Sequence, residues 1–468
     1  MSRGTVLFRD AQVQGARCDV LVVDGTVQQI QPRLHPGDHA VEHVVDAEGG
    51  ALLPGLHDHH VHLAALAASL ASVRVGPPEV TSTEQFAAKI AAADARLPPG
   101  EWIRAIGYHE SVAGRLDRSL LDRLAPGRAV RVQDRSGKRW TLSSAALAAT
   151  DAERSGPPGV ERDASGRATG AIEREDDWLA AAIGGDFPDL ASVGRAFAAV
   201  GVTHLTDCTP YRDAAGPAAI AAAVGSGALP QTVVVTGGVE LVGRPVDPLL
   251  RLGPVKVILD EDQLPDLATV VEWVRAAHEA DRPVALHLVT AASLAYAVAA
   301  WEEAGVRRGD RIEHGSVITP VAADRIAELG LTVVTQPGFV HERGDRYLVD
   351  VDPEDREHLY RCGSLLERGI PVAGSSDAPY TDADPWAAVR AAVDRRTRDG
   401  RTLGASERVD LEQAIDLFTG HPLDPGRQHR RVVVGTSADL SLLGRPLDAA
   451  APPSAADVRA TYRAGVQI

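Results

Sequence analysis

Lysine is nearly absent from this chain. Of 48 basic residues among 468, three are lysine (Lys89, Lys138 and Lys256) and the rest are arginine. Arginine keeps its proton in any protein environment, whereas lysine can lose one and become a nucleophile. Each remaining lysine therefore invites a chemical reading. Cysteine is equally scarce: Cys18, Cys208 and Cys362 are too few and too scattered for a disulfide framework. The opening stretch MSRGTVLFRDAQVQ has no apolar h-region, so it does not read as a secretory signal. The longest apolar runs, such as AALAASLASV, are too short and Ala-rich to span a bilayer. A soluble cytoplasmic protein without a membrane partner is expected. Asp and Glu total 64, giving a formal net charge of −16. That field repels phosphate backbones and disfavours nucleic acid as a partner. Several hydrolytic signatures are missing as well: there is no G-x-S-x-G, H-E-x-x-H, P-loop or G-x-G-x-x-G before a helix. HERGD (341–345) begins like a zincin motif but has Asp345 where the second histidine belongs.

What is present is ordinary globular composition, 44% hydrophobic and 24% charged. The first 50 residues alternate apolar and polar, and Asp24-Gly25 reads as a hairpin turn. ADLSLLG (438–444) and VRATYRAG (458–465) read as strands in the same way. Between these ends, eight short apolar runs alternate with Ala/Leu/Arg-rich helical segments. They are ALLPGLHDH, VGVTHLTDC, PQTVVVTGG, PVKVILD, RPVALHL, DRIEHGS, LTVVTQP and IPVAGSSDAP, starting near 51, 200, 230, 254, 282, 310, 331 and 370. Most gaps approximate one βα unit of roughly 30 residues, and eight units make a (β/α)8 TIM barrel. The long first gap requires an insertion, roughly 65–195, after barrel strand 1. The expected architecture is α/β: a TIM-barrel domain over 53–424, with a small β-sandwich built from both termini, 1–52 plus 425–468.

Chemistry-bearing residues collect at the ends of the runs. His60 and His62 stand two apart, so in a strand both face one way. HDHHVH holds four histidines in six residues, so H-x-H alone is weak. Lys256 lies in run 4, His287 in run 5, His314 in run 6 and Asp377 in run 8, at or near the C-terminal end or inner face where barrel enzymes build their sites. The spacings 256–287 and 287–314 are one unit each, and 314–377 is two. Six side chains of ligand or base type thus converge on one barrel mouth. Read singly, His287 and His314 also fit as core histidines, Asp377 as a cap and Lys256 as an interior charge.

Taken together, GLHDHHVHL, VKVILD, VALHL, RIEHGS and GSSDAP resemble the amidohydrolase superfamily. WIRAIGYHES, SGKRWTLSSAAL, ATGAIERE, GVTHLTD, VVTQPGF and GTSADLSLL further resemble its YtcJ-like branch, which includes relatives of N-substituted formamide deformylase. The resemblance implies the same barrel and sandwich. It implies that His60, His62, Lys256, His287, His314 and Asp377 bind metal, one or two Zn2+ ions or another divalent metal. It makes Asp377, with His314, catalytic, and places Lys256 where binuclear members carry a bridging N6-carboxylysine. Cys208 and Glu173 are rival bridging groups. Lys138 stands where the branch often has histidine.

The implied chemistry hydrolyses an amide, formamide or cyclic-amide C–N bond of a small molecule. Zinc brings the pKa of a bound water to about 7 and polarises the carbonyl, and Asp377 serves as acid/base. A metal-dependent deaminase or decarboxylase on the same scaffold is the alternative, and a non-catalytic assembly role is a third. Deaminases of the superfamily carry Glu three residues after the run-5 histidine, where this chain has Thr290. Tyr108, His109, Lys138 and Trp140 in the insertion, and Gln336 and Arg343 after run 7, are candidate substrate contacts. A homodimer is compatible with the acidic surface.

Overall fold

The computed structural model of the chain describes residues 4–35, 41–185, 187–261, 264–448 and 450–468. It divides into two compact units: residues 1–66 with 189–468, and residues 67–188.

In the first unit each of the eight apolar runs contains a strand: β1 (Leu56–Val61), β2 (Val202–Asp207), β3 (Thr232–Val235), β4 (Val255–Ile258), β5 (Val284–Leu288), β6 (Arg311–His314), β7 (Thr332–Thr335) and β8 (Val372–Gly374). Nearly every residue of these strands is buried, as parallel strands covered on both faces require. All pairings are parallel, in two arcs: β1–β2–β3 and β4–β5–β6–β7–β8. Main-chain hydrogen bonds join the arcs at both ends. Asp377 N donates to His60 O (2.8 Å) and His62 N to Ala378 O (2.9 Å), linking β8 to β1. Lys256 N donates to Gly237 O (2.9 Å), linking β4 to the end of β3.

Helices connect successive strands, and their starts are encoded locally. Helix Leu267–Glu279 is capped by the Asp266 side chain, which accepts from Thr269 N, and it buries Val270, Val271, Val274 and Ala277. That spacing is one apolar stripe of a 3.6-residue repeat. Helix Ala291–Ala304 opens on a reciprocal capping box between Thr290 and Ser293 and buries Trp301.

The two chain ends meet in this unit. Strands Thr26–Gln31, Ala16–Val23, Val6–Val13 and His43–Asp46 form one sheet in that order, with the Asp24-Gly25 turn at positive φ as a type I′ hairpin needs. Strands Val466–Gln467, Val458–Arg463, Leu440–Leu443 and Leu52–Pro54 form a second. Both contribute to one apolar cluster that includes Phe8, Val20, Leu52, Leu440 and Tyr462. The rings of Phe8 and Tyr462 meet edge-to-face at 4.9 Å. Strand Asp424–His429 pairs with Gly420–His421, outside both sheets.

The second unit holds a six-stranded sheet in the order Val160–Arg162, Ala168–Glu173, Arg139–Leu142, Val130–Asp134, Ile103–Tyr108, Val73–Arg74. Separate apolar clusters, one around Phe86 and Ile103 and one around Trp140 and Leu147, form its core. Among the described residues no helix is long and apolar enough to cross a membrane.

Candidate metal centre

Residues at or just past the C-terminal ends of β1, β5, β6 and β8, with Lys256 in the first half of β4, gather the six sequence-selected side chains in the first unit. The Nε2 atoms of His60 and His62 lie 3.5 and 3.4 Å from Oδ1 of Asp377. These three residues offer ligand atoms all within 4.8 Å of one another. The other carboxylate oxygen of Asp377 faces His314, 3.9 Å from its Nδ1. His314 Nε2 is 2.9 Å from His287 Nδ1, and its ring centroid is 4.8 Å from that of His60. Three polar atoms in this cluster, His60 Nε2, Asp377 Oδ1 and Lys256 Nζ, are buried with no hydrogen-bond partner among the described residues.

His314 and Asp377 adopt left-handed backbone conformations, φ 69° and 57°. Non-glycine residues pay for that region and hold it only when their surroundings enforce it. In β6 alternation alone would send Glu313 and His314 to opposite faces. The left-handed turn at His314 ends the strand and brings both residues beside His60.

Electrostatics favour the neutral form of His60, His287 and His314, the form that binds metal. Burial, reinforced by the Lys256 charge, holds His60 well below the usual histidine range. Burial and the neighbouring His287 do the same for His314. His287 is pushed down to about 3 by burial and Lys256. Burial raises the Asp377 carboxyl, against the opposing pull of His62.

Further partners orient the cluster, and the sequence reading passed over several of them. Glu313 Oε2 lies 2.5 Å from His60 Nδ1 and Glu313 Oε1 lies 2.5 Å from Arg311 Nε. His62 Nδ1 meets Thr209 Oγ1 at 3.2 Å, and that hydroxyl donates to Asp207 Oδ1 at 2.7 Å. Asp58 Oδ1 accepts from the main-chain N of His60 (3.2 Å) and of Ser376 (3.0 Å). In RIEHGS, Arg311 and Glu313 stand two apart and so share a face across Ile312, and the structure buries both.

Of the candidate substrate contacts, Gln336 is buried and its Oε1 lies 2.9 Å from His314 Nδ1. Arg343 stacks over Phe339 at 4.6 Å and donates to Tyr380 O at 2.8 Å. The exposed Tyr380 ring stands edge-on to His62 at 5.9 Å. The other four belong to the second unit. Tyr108 is buried in that unit's core, its hydroxyl donating to Gly114 O (2.6 Å). Trp140 is buried, its indole N–H donating to Asp176 Oδ1 (2.8 Å). His109 caps a short helix, accepting from Ser111 N (3.3 Å), and Lys138 is exposed.

The two rival bridges differ. Glu173 is exposed and paired with Arg139 at 3.0 Å in the second unit. Cys208 is buried within ligand distance of His60 and Glu313, but burial drives its thiol pKa up and Arg311 Nη2 already donates to its sulfur (3.3 Å).

A family description, amidohydrolase family (Amidohydro_3), matches residues 43–468. The chain belongs to the amidohydrolase family. This amidohydrolase is 26% identical to the N-substituted formamide deformylase of Arthrobacter pascens, over 87% of this chain and 86% of that protein. It is 24% identical to YtcJ of Bacillus subtilis, over 85% of each. In three dimensions it is similar to an uncharacterized metal-dependent hydrolase from Pyrococcus horikoshii, with TM-score 0.76 and 17% identity, covering 94% of this chain and 98% of the other. The shared fold is the TIM-barrel type of amidohydrolases. The chain is a YtcJ-like member and an enzyme hydrolysing carbon–nitrogen bonds.

Proposed function

We propose that this amidohydrolase is metal-dependent and cleaves the amide, formamide or cyclic-amide C–N bond of a small molecule. The observation carrying this is the set of buried ligand atoms without partners, His60 Nε2 and Asp377 Oδ1 beside His62, with Lys256 Nζ also unpartnered in the cluster. An unsatisfied buried polar atom costs about 1–3 kcal/mol, and a cation accepting their lone pairs removes that cost. Neutral imidazole with carboxylate is a donor set suited to Zn2+. His60, His62 and Asp377 hold one ion.

Lys256, with His287 and His314, supports a second. Its amine is buried beside imidazoles with no acceptor. Nζ first gives up its ammonium proton, then adds to carbon dioxide and releases a second proton, both to solvent, so that the side chain becomes an anionic carbamate; arginine offers no such route. A bound divalent cation supplies an acidified water and an electrophile for the carbonyl oxygen. Asp377, turned inward by its left-handed backbone, accepts the proton of the attacking water and delivers it to the leaving nitrogen. Thr290, at the position of the deaminase glutamate, is engaged as a helix cap, which leaves amide hydrolysis as the favoured chemistry.

Elemental mass spectrometry on protein expressed with zinc and bicarbonate tests this, with amine release from a panel of N-acyl and N-formyl amines as the activity readout. One to two equivalents of metal per chain are expected. Asp377→Asn should lower turnover at least ~100-fold. Metal-free wild-type protein that still hydrolyses, or full activity in the Asp377 variant, overturns the assignment.

A further inference from the structure

Three imidazoles of the cluster have partners other than a second imidazole at their Nδ1 atoms, and these differ in charge. His62 faces the Thr209 hydroxyl at 3.2 Å and His314 the Gln336 amide at 2.9 Å, both uncharged. His60 faces the Glu313 carboxylate at 2.5 Å. That carboxylate is shared: its other oxygen is 2.5 Å from Arg311 Nε. Arg311 is in turn held by Cys208 Sγ (3.3 Å) and His59 O (3.5 Å). Arg311, Glu313 and His60 are at most 2% exposed.

We propose that Arg311 and Glu313 are positioning residues for the metal site, acting through His60; this rests on the metal-dependent reading above. The carboxylate fixes the proton of His60 on Nδ1, which leaves the Nε2 lone pair for the ion. Its negative charge, concentrated by burial, makes Nε2 a better donor than a neutral partner would. Arg311 holds the carboxylate by its other oxygen, so that it cannot swing away to the ion itself. Fold stability alone explains the arrangement poorly, since a buried ion pair is weak in net stabilisation against an apolar replacement.

Chelator competition on the purified full chain, with Zn2+ as the probe, tests the proposal. Glu313→Gln, which keeps shape and removes charge, should weaken Zn2+ binding about 10–100-fold. The control is Glu407→Gln. Glu407 is 1% exposed and pairs with Arg361 at 2.8 Å away from the cluster, so its loss lowers stability and leaves Zn2+ affinity unchanged. Equal weakening in both variants, or none in Glu313→Gln while wild type binds Zn2+, overturns the proposal alone. Wild-type protein that binds no Zn2+ overturns the metal-dependent reading and this one together. Should Glu313→Gln not fold, wild-type protein labelled with 15N-histidine still decides. A strongly deshielded His60 Nδ1 proton, slow to exchange, is expected, and its absence overturns the inference.

Discussion

Asp58 sits behind the metal centre with two main-chain donors on one oxygen and the Ser376 hydroxyl on the other. Burial raises its pKa to about 6, against these bonds, from the ordinary 3.8 of an exposed aspartate. The folded state therefore holds the proton more tightly than the unfolded state. The resulting stabilisation is complete below 3.8 and is lost as pH rises through about 6. Asp58→Asn keeps the acceptor for both main-chain donors and removes the titration. Wild type should lose about 2 kcal/mol relative to this variant between pH ~4 and pH ~7, read from urea unfolding of metal-free protein. Parallel pH profiles for the two would show that Asp58 does not titrate in that window. At this scale the visible signals in the sequence were chemical types at chain spacings: H-x-H at period two, and Lys256 conspicuous among arginines. Glu313 and Arg311 were not visible, because a charged pair two apart in a strand equally describes a solvated face. Which face is inside depends on neighbouring strands. The same holds for the backbone of His314 and Asp377, whose left-handed turns are set by packing and not by residue preference.

Among the elements, the helix behind β5 depends on its first residue. Thr290 and Ser293 satisfy each other's main-chain N–H groups, and the Thr290 hydroxyl also donates to Glu261. Thr290→Ala should cost about 1 kcal/mol, seen as a lower urea midpoint with unchanged slope. A shift in slope would mean that the helix frays separately. The eight apolar runs fall on β1–β8 because strands buried on both faces must be almost wholly apolar, and that pattern needs no neighbours to be read. The six-stranded sheet of the second unit was not legible in the same way. Its members include Val73–Arg74 and Val160–Arg162, too short to show a period, among Pro- and Gly-rich loops that dominate the local signal.

For the molecule as a whole, both chain ends contribute to one apolar cluster. Val458–Arg463 pairs with Leu440–Leu443, and Thr461 donates to Ala198 O at 2.6 Å, tying it to helix Ala191–Ala199. Deleting residues 458–468 should leave a chain with no cooperative thermal transition, checked by circular dichroism and soluble yield. A sharp transition within a few degrees of the full chain would show the last strands to be dispensable. Phe8→Ala, on the facing sheet, should cost about 3–5 kcal/mol.

The pairing of Leu52–Pro54 with Leu440–Leu443 also sets a clock. Most of the 468 residues separate strand Val6–Val13 from strand Leu440–Leu443, so the first sheet emerges from synthesis well before the strands that cover its apolar face. At about 5–20 residues per second, the stretch from Val13 to Leu440 takes roughly 20 to 90 seconds to synthesise. For that interval Phe8, Val20 and Val22 have no partner from the carboxyl end. Over that interval the apolar face of the first sheet stays open, and synthesis of Leu440–Leu443 and Val458–Arg463 is the event that lets the two sheets join.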